Sequence, residues 1–350
     1  MRIIILIECL LFTSLLLSQK VKDVTHVAYT VSDTEQAVDF LKQNVNATVN
    51  STKHIEGIEL QRLFGLRDEG LSLKVTSMQI GSDELRLLEF DSKLPAQPIP
   101  QDSKSNDLWF QHIAIVVDDM DLAYEQVHAN NVEHVSTAPQ TLPDYIPAAA
   151  GISAFYFRDL DDHNLELIYF PSDKGNPKWK KSTKNRFLGI DHTAIGIEDT
   201  DESLKFYEDV LGLRVAGNSE NYGSEQEHLN QVFGARLLIT GLVAENGFGV
   251  EFLDYIAPPG GKAYPDTSTP LDHWYWHTAM VVDDIESMRE KIEKANYTII
   301  SNGIVSIKAL NYDKAIIVRD PDGHAILLVC LLYTSPSPRD RTRSRMPSSA

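Results

Sequence analysis

The stretch HIAIVVDDMDLAYEQVHANNVEHV, residues 112–135, decides the fold, because three other stretches overlay it without a gap. They are HVAYTVSDTEQAVDFLKQNVNATV (26–49), HTAIGIEDTDESLKFYEDVLGLRV (192–215) and HTAMVVDDIESMREKIEKANYTII (277–300). The opening histidines lie 86, 80 and 85 residues apart, so the chain is built from four copies of one supersecondary unit. Alternation in HIAIVV makes a strand that turns the histidine and every second residue to one face. An aspartate follows seven positions after each histidine (Asp33, Asp119, Asp199, Asp284), where it can cap a helix. Apolar residues then recur at helical spacing: Ala37, Phe40 and Leu41 in the first copy, Leu204, Phe206, Tyr207 and Leu211 in the third. Further strands such as AFYFRD and LELIYF complete each copy as βαβββ, an α+β class.

The copies also carry a longer period. LQRLFGLR (60–67) matches LNQVFGAR (229–236) and has no counterpart in the second and fourth copies, so the repeating block reads as a duplicated pair. The expected domains are residues 24–170 (modules 1 and 2) and 188–329 (modules 3 and 4). Between them lies a Pro- and Lys-rich linker over 171–187, with the boundary near Trp179. Each lobe is expected to form one open, cupped sheet.

The chain has 350 residues, 43% of them hydrophobic and 23% charged, ample for a sizeable core. Its net charge of −18 would repel nucleic acid and anionic membrane, so a small molecule or a metal is the more natural partner. Residues 1–18, with Arg2 before an apolar run, read as a secretory signal peptide. Sequons at Asn46, Asn50 and Asn296 agree with export to the extracellular space. Residues 330–350 break the strand pattern with Ser, Pro and Arg, and read as an adapter-derived artefact. Without the two ends no cysteine is left, so the metal ligands on offer are His, Asp, Glu and Tyr.

With the His-initiated strand, the capped helix, FRDLDDHNLELI from Phe157 and VRDPDGHAILLV from Val318, residues 24–329 resemble the vicinal oxygen chelate superfamily of glyoxalases, epimerases, ring-cleaving dioxygenases and bleomycin or fosfomycin resistance proteins. The resemblance implies paired βαβββ modules cupped around a divalent metal, Fe, Mn, Zn or Ni, held by the first and last strands of two modules. Carried over by position, the ligands of the N-terminal lobe are His26, His112 and Glu166. The fourth place falls on Arg86, which stands 26 residues before His112, as Glu251 stands before His277. The C-terminal lobe keeps His192, Glu251 and His277, with Leu327 in the fourth place. Arg86 is expected either to bind a substrate anion or to be a solvated edge residue.

Three functions compete. A metal-dependent lyase or isomerase would hold two substrate oxygens while Glu166 or Glu251 moves a proton. An Fe(II) dioxygenase would use the two-His-one-Glu set His26, His112 and Glu166, but Leu160 and Asp162 replace the Pro and Gly of that signature. A sequestering protein would bind a small ligand without chemistry. Outside the ligand set, His163 and His324 read as turn residues. The aromatic runs at Trp109 and Trp274 read as packing. Residues 222–228 read either as a flap over the C-terminal cup or as a helix start.

Overall fold

Alternating apolar residues make strands, and the four capping aspartates start helices as expected. In the computed structural model, which describes residues 20–181, 184–259 and 261–332, Asp33 accepts from the amides of Glu35 and Gln36. Asp119 accepts from Leu122 N, Asp199 from Glu202 N and Asp284 from Ser287 N. Each such cap stabilises its helix by about 1 kcal/mol.

Module 1 comprises β1 (Val21–Thr30), α1 (Thr34–Val45), β2 (Thr48–Glu56), α2 (Ile58–Phe64), β3 (Ser72–Ile80) and β4 (Asp83–Asp91). Module 2 comprises β5 (Gln111–Val117), α3 (Met120–Ala129), the short β6 (Glu133–His134) and β7 (Gln140–Thr141), β8 (Ser153–Arg158) and β9 (Asn164–Tyr169). In module 3, β10 (Phe187–Ile197) leads into α4 (Thr200–Leu204), which continues as a π-helical turn over Lys205–Val210. It is followed by β11 (Arg214–Tyr222), α5 (Ser224–Asn230), β12 (Arg236–Val243), β13 (Asn246–Gly247) and β14 (Gly249–Ala257). Module 4 comprises β15 (Trp276–Val282), α6 (Ile285–Lys294), β16 (Val305–Ile307), β17 (Tyr312–Arg319) and β18 (Ala325–Leu331).

The modules do not pair in chain order. One sheet runs β16-β17-β18-β15-β1-β4-β3-β2 and joins modules 4 and 1; the other runs β11-β12-β14-β10-β5-β9-β8-β6 and joins modules 3 and 2. The expected grouping of modules 1 with 2 and 3 with 4 is therefore corrected to an outer pair and an inner pair. The reason lies in which edges meet. First strands pair antiparallel, β1 with β15 and β5 with β10, whereas module 1 meets module 2, and module 3 meets module 4, through their helices. Gln126 of α3 donates to Gln43 O and Asn46 Oδ1 across α1, and Lys291 of α6 donates to Val210 O. The main core accordingly lies between the two sheets and draws Leu41, Phe155, Phe206 and Ile292 from all four modules.

In the segment between modules 2 and 3, Trp179 is buried against the inner-pair sheet and donates to Asp191 Oδ1 at 2.6 Å. His163 and His324 do sit in turns, and they also bind the sheets together. His163 pairs with Asp159 and reaches His273 O at 2.7 Å in the other half. His324 pairs with Asp320, which accepts from Tyr207 of module 3. The last strand runs through Leu331, two residues beyond the expected break at Val329. Residues 1–18 and 333–350, and with them the leader and most of the artefact reading, fall outside the described residues.

Candidate metal centre

Register decides which side chains share a cup. Across the inner-pair sheet, Glu251, Ala194 and His112 stand in one row, and His192, Ala114 and Glu166 in the next. Each histidine therefore faces an alanine of the neighbouring first strand, and the two fully buried methyls leave room above the sheet for four donors to converge. His112 Nε2 lies 3.0 Å from Glu166 Oε2, His192 Nε2 lies 3.6 Å from the same oxygen, and His192 Nε2 lies 3.4 Å from Glu251 Oε1. The ligand atoms of His112, Glu166 and His192 all fall within 4.8 Å of one another.

These contacts are close, yet His112 Nε2, His192 Nε2 and Glu166 Oε2 are buried without a hydrogen bond among the described residues. Leaving one buried polar atom unpaired costs about 1–3 kcal/mol, so three aimed at one point mark a place for a shared partner. Nitrogen and carboxylate donors in this number suit a first-row divalent cation. Burial works against the charge of His192, but Glu251, the hydrogen bond it donates to Asp191, and Glu166 raise its pKa to about 10. Burial, reinforced by Glu166, raises that of Glu251. With three carboxylates around two imidazoles, the cup is short of positive charge. Asp191 Oδ2 lies 3.1 Å from His192 Nδ1 and so orients the ring, leaving Nε2 to the centre.

The outer-pair cup repeats the register with other residues. Ala28 and Ala279 again oppose the histidines, but Arg86 and Leu327 fill the distal places beside His26 and His277. Burial first, then the Arg86 charge, lowers the pKa of both imidazoles, that of His277 to about 3. Arg86 donates to Glu84 and to Tyr312 Oη, each at 2.6 Å, and Tyr312 Oη lies 3.4 Å from His26 Nε2. Leu60, Leu63 and Phe64 of α2 pack into this cup with Leu327. In module 3 the matching aromatic, Phe233, is 92% exposed and leaves its cup open.

Several sequence expectations change as a result. His26, His112 and Glu166 do not form a triad, because His26 belongs to the other sheet. Nor do His192, Glu251 and His277. Instead of two sets of three, His112, Glu166 and His192 gather in one cup with Glu251 beside them, and the other cup holds neither glutamate. Arg86 is neither a solvated edge residue nor a substrate anchor in the metal cup; it is part-buried and internally paired.

A cavity of about 520 Å³ opens over Glu166, His192 and Glu251. Residues 222–228 hold the expected helix start, α5, and its Gln226 lines the cavity of the inner-pair cup. Tyr222 packs at a tilt against Tyr145 of module 2, with ring centroids 5.3 Å apart. Sequence reasoning missed Asp191, Tyr156 and Tyr255. Asp191 had a signal: only the third of the four strand histidines follows a carboxylate.

The Glyoxalase/Bleomycin resistance protein/Dioxygenase superfamily model matches residues 23–167 and 189–328. A 2-epi-5-epi-valiolone epimerase from an Actinomyces species is 30% identical over 152 residues, which cover 43% of this chain and 80% of the epimerase. Glyoxalase I from Zea mays superposes with a TM-score of 0.58 at 15% identity, covering 89% of this chain and 92% of that one. A putative dioxygenase from Bacillus subtilis gives 0.53 at 13% identity, covering 89% and 86%. Two matched segments that fill most of the chain, on a fold shared with these structures, place this protein in the Glyoxalase/Bleomycin resistance protein/Dioxygenase superfamily.

Proposed function

We propose that the inner-pair cup is the centre of a divalent-metal-dependent isomerase or lyase acting on a small molecule with two neighbouring oxygens. The observation that carries this reading is the convergence of His112, Glu166 and His192 on one point with three orphaned buried atoms, with Glu251 Oε1 3.4 Å from His192 Nε2 beside it. The epimerase relative favours isomerase chemistry over the alternatives. A bound cation would act as a Lewis acid, polarising a carbonyl or enolate oxygen. Glu251 is the proton-transfer residue: its side chain is 23% exposed against 5% for Glu166, so it can swing into the cavity and take a proton from carbon. Glu166, held against His112, stays in place.

The test is metal analysis followed by proton exchange. Purified protein should hold one Zn, Ni, Mn or Fe per chain and exchange the carbon-bound hydrogen next to a substrate ketone for deuterium without oxygen. Glu251→Gln should keep the metal and lose exchange. Dioxygen consumption by an iron-loaded protein would instead favour ring cleavage, and a metal-free protein that binds ligand would favour sequestration.

We also propose that the chain is exported and glycosylated. All three sequon asparagines are exposed, but Asn46 Oδ1 accepts from Gln126 and Asn50 donates to Gln79, which makes Asn296 the preferred acceptor.

A further inference from the structure

A cross-strand row of residues passes through the metal cup, and one end of it is bare. In the inner-pair sheet the row reads Gly217, Gly241, Glu251, Ala194 and His112. In the outer-pair sheet the same row reads Ser51, Ser77, Arg86, Ala28 and His277. The place beside the distal ligand position is held by Ser77, Tyr156, Gly241 and Ile317 in modules 1 to 4, so module 3 alone leaves it without a side chain. The backbone does not call for glycine there. Gly217 and Gly241 both lie outside the positive-φ region, and the register shift just before Gly217 recurs just before Ser51, so the irregularity is made without glycine elsewhere. Packing does not call for it either: among the described residues a Cβ on Gly217 would meet nothing within 4 Å, and one on Gly241 would touch only Gly217 O at 3.9 Å. Glycine inside a strand weakens it, and one that neither turn nor packing requires marks a close approach of a ligand to the backbone.

Two independent observations point to a ligand at this floor. Gly241, His192 and Glu251 line both the 520 Å³ cavity over the metal site and an adjoining recess of about 230 Å³ that runs to Asn176 and Lys178, so the bare place is where the two spaces meet. Gln226, 2% exposed, lines the same cavity with an Nε2 that makes no hydrogen bond among the described residues; the third residue of α2, at the matching place in the closed cup, is Leu60. We propose that Gly241, with Gly217, is the specificity-determining position of the cup: the substrate carries a chain on the carbon next to its chelating oxygens, and that chain leaves the metal over the glycine floor into the recess. This rests on the proposed metal-dependent reading of the same cup and adds the substrate class, chain-bearing rather than compact, and the side on which it lies. The asymmetry also tells the two glutamates apart. The open place lies beside Glu251, the more exposed of the pair, whereas Tyr156 fills the same place beside Glu166.

The probes are acetohydroxamate and hexanohydroxamate, which share one two-oxygen chelating head and differ only in chain length. Each is titrated calorimetrically against the zinc-loaded and the metal-free full chain, and zinc content is measured separately. The zinc-loaded parent should bind hexanohydroxamate at least about tenfold more tightly than acetohydroxamate. Gly241→Val should remove that advantage while zinc content and acetohydroxamate affinity stay within about twofold of the parent. Gly217→Val, at the outer edge of the floor, should reduce the advantage less. Gly241→Ala adds only a Cβ to an extended, uncrowded position, so its thermal unfolding midpoint should equal or exceed that of the parent, which a glycine needed for structure would not allow. Equal affinity of the parent for the two probes, binding of neither, an advantage that survives Gly241→Val, or a lowered midpoint in Gly241→Ala overturns the assignment. A parent without zinc whose metal-free form prefers hexanohydroxamate, with the preference lost in Gly241→Val, would keep the glycine floor and remove the metal reading.

Discussion

Replacing Asp191 by asparagine isolates the residue that makes His192 unlike the other three strand histidines. Asp191 Oδ2 lies 3.1 Å from His192 Nδ1, and its second oxygen accepts the Trp179 indole N–H at 2.6 Å, so the carboxylate is fixed from both sides. It sets which ring nitrogen carries the proton and adds negative charge behind the ligand. Partners of this kind typically change metal affinity 10- to 100-fold, or about 1.4–2.7 kcal/mol. Asp191→Asn should therefore weaken zinc binding by that factor, measured by competition with a chromogenic chelator, while stoichiometry stays at one per chain and the near-UV circular dichroism of metal-free protein is unchanged. Trp179→Phe, which leaves the Asp191–His192 contact in place, should cost less. Affinity within about twofold of the parent in Asp191→Asn would refute the argument that the carboxylate positions the ligand.

Three further outcomes follow from other parts of the molecule. Arg86→Glu should gain no second metal site, because Leu327 occupies the other distal place, and should lose about 1–3 kcal/mol of stability in urea by replacing an ion pair with two part-buried carboxylates side by side; two zinc equivalents per chain would contradict this. Asp322, which accepts from Glu198 N and Ser203 across the modules, has its pKa raised to about 6 by burial and by Asp320. A raised folded-state pKa means that stability is fully present below the unfolded value near 3.8 and is lost as pH rises through about 6. Discounted for partial exposure, the loss is about 1–2 kcal/mol, so Asp322→Asn should match the parent at pH 4 and exceed it by that amount at pH 8; a gap that does not change with pH would exclude the linkage. Expressed in animal cells, the chain should reach the medium and lose mass on glycosidase treatment, with Asn296→Gln removing a glycan; an unglycosylated, wholly intracellular product would rule out export.

The sequence by itself determined the module, its count and the positions that could carry ligands. Each of those is local: alternation puts a histidine and the alanine two residues later on one face, and the 26-residue interval between the distal strand and the next histidine puts Arg86 and Glu251 in equivalent places. These relations survive in any arrangement of modules. Only the tertiary structure decided which modules share a sheet. All four first strands present the same histidine-initiated edge, so antiparallel pairing of β1 with β5 or with β15 cannot be told apart from strand sequence; the choice rests on contacts between distant segments, such as Gln126 on α1 and His163 on the segment before β15. That choice alters the chemistry completely. Paired in chain order, each cup would have two histidines, one glutamate and one defect. Paired as inner and outer modules, both glutamates fall in one cup and both defects, Arg86 and Leu327, fall in the other, where they close it with apolar packing and an internal ion pair.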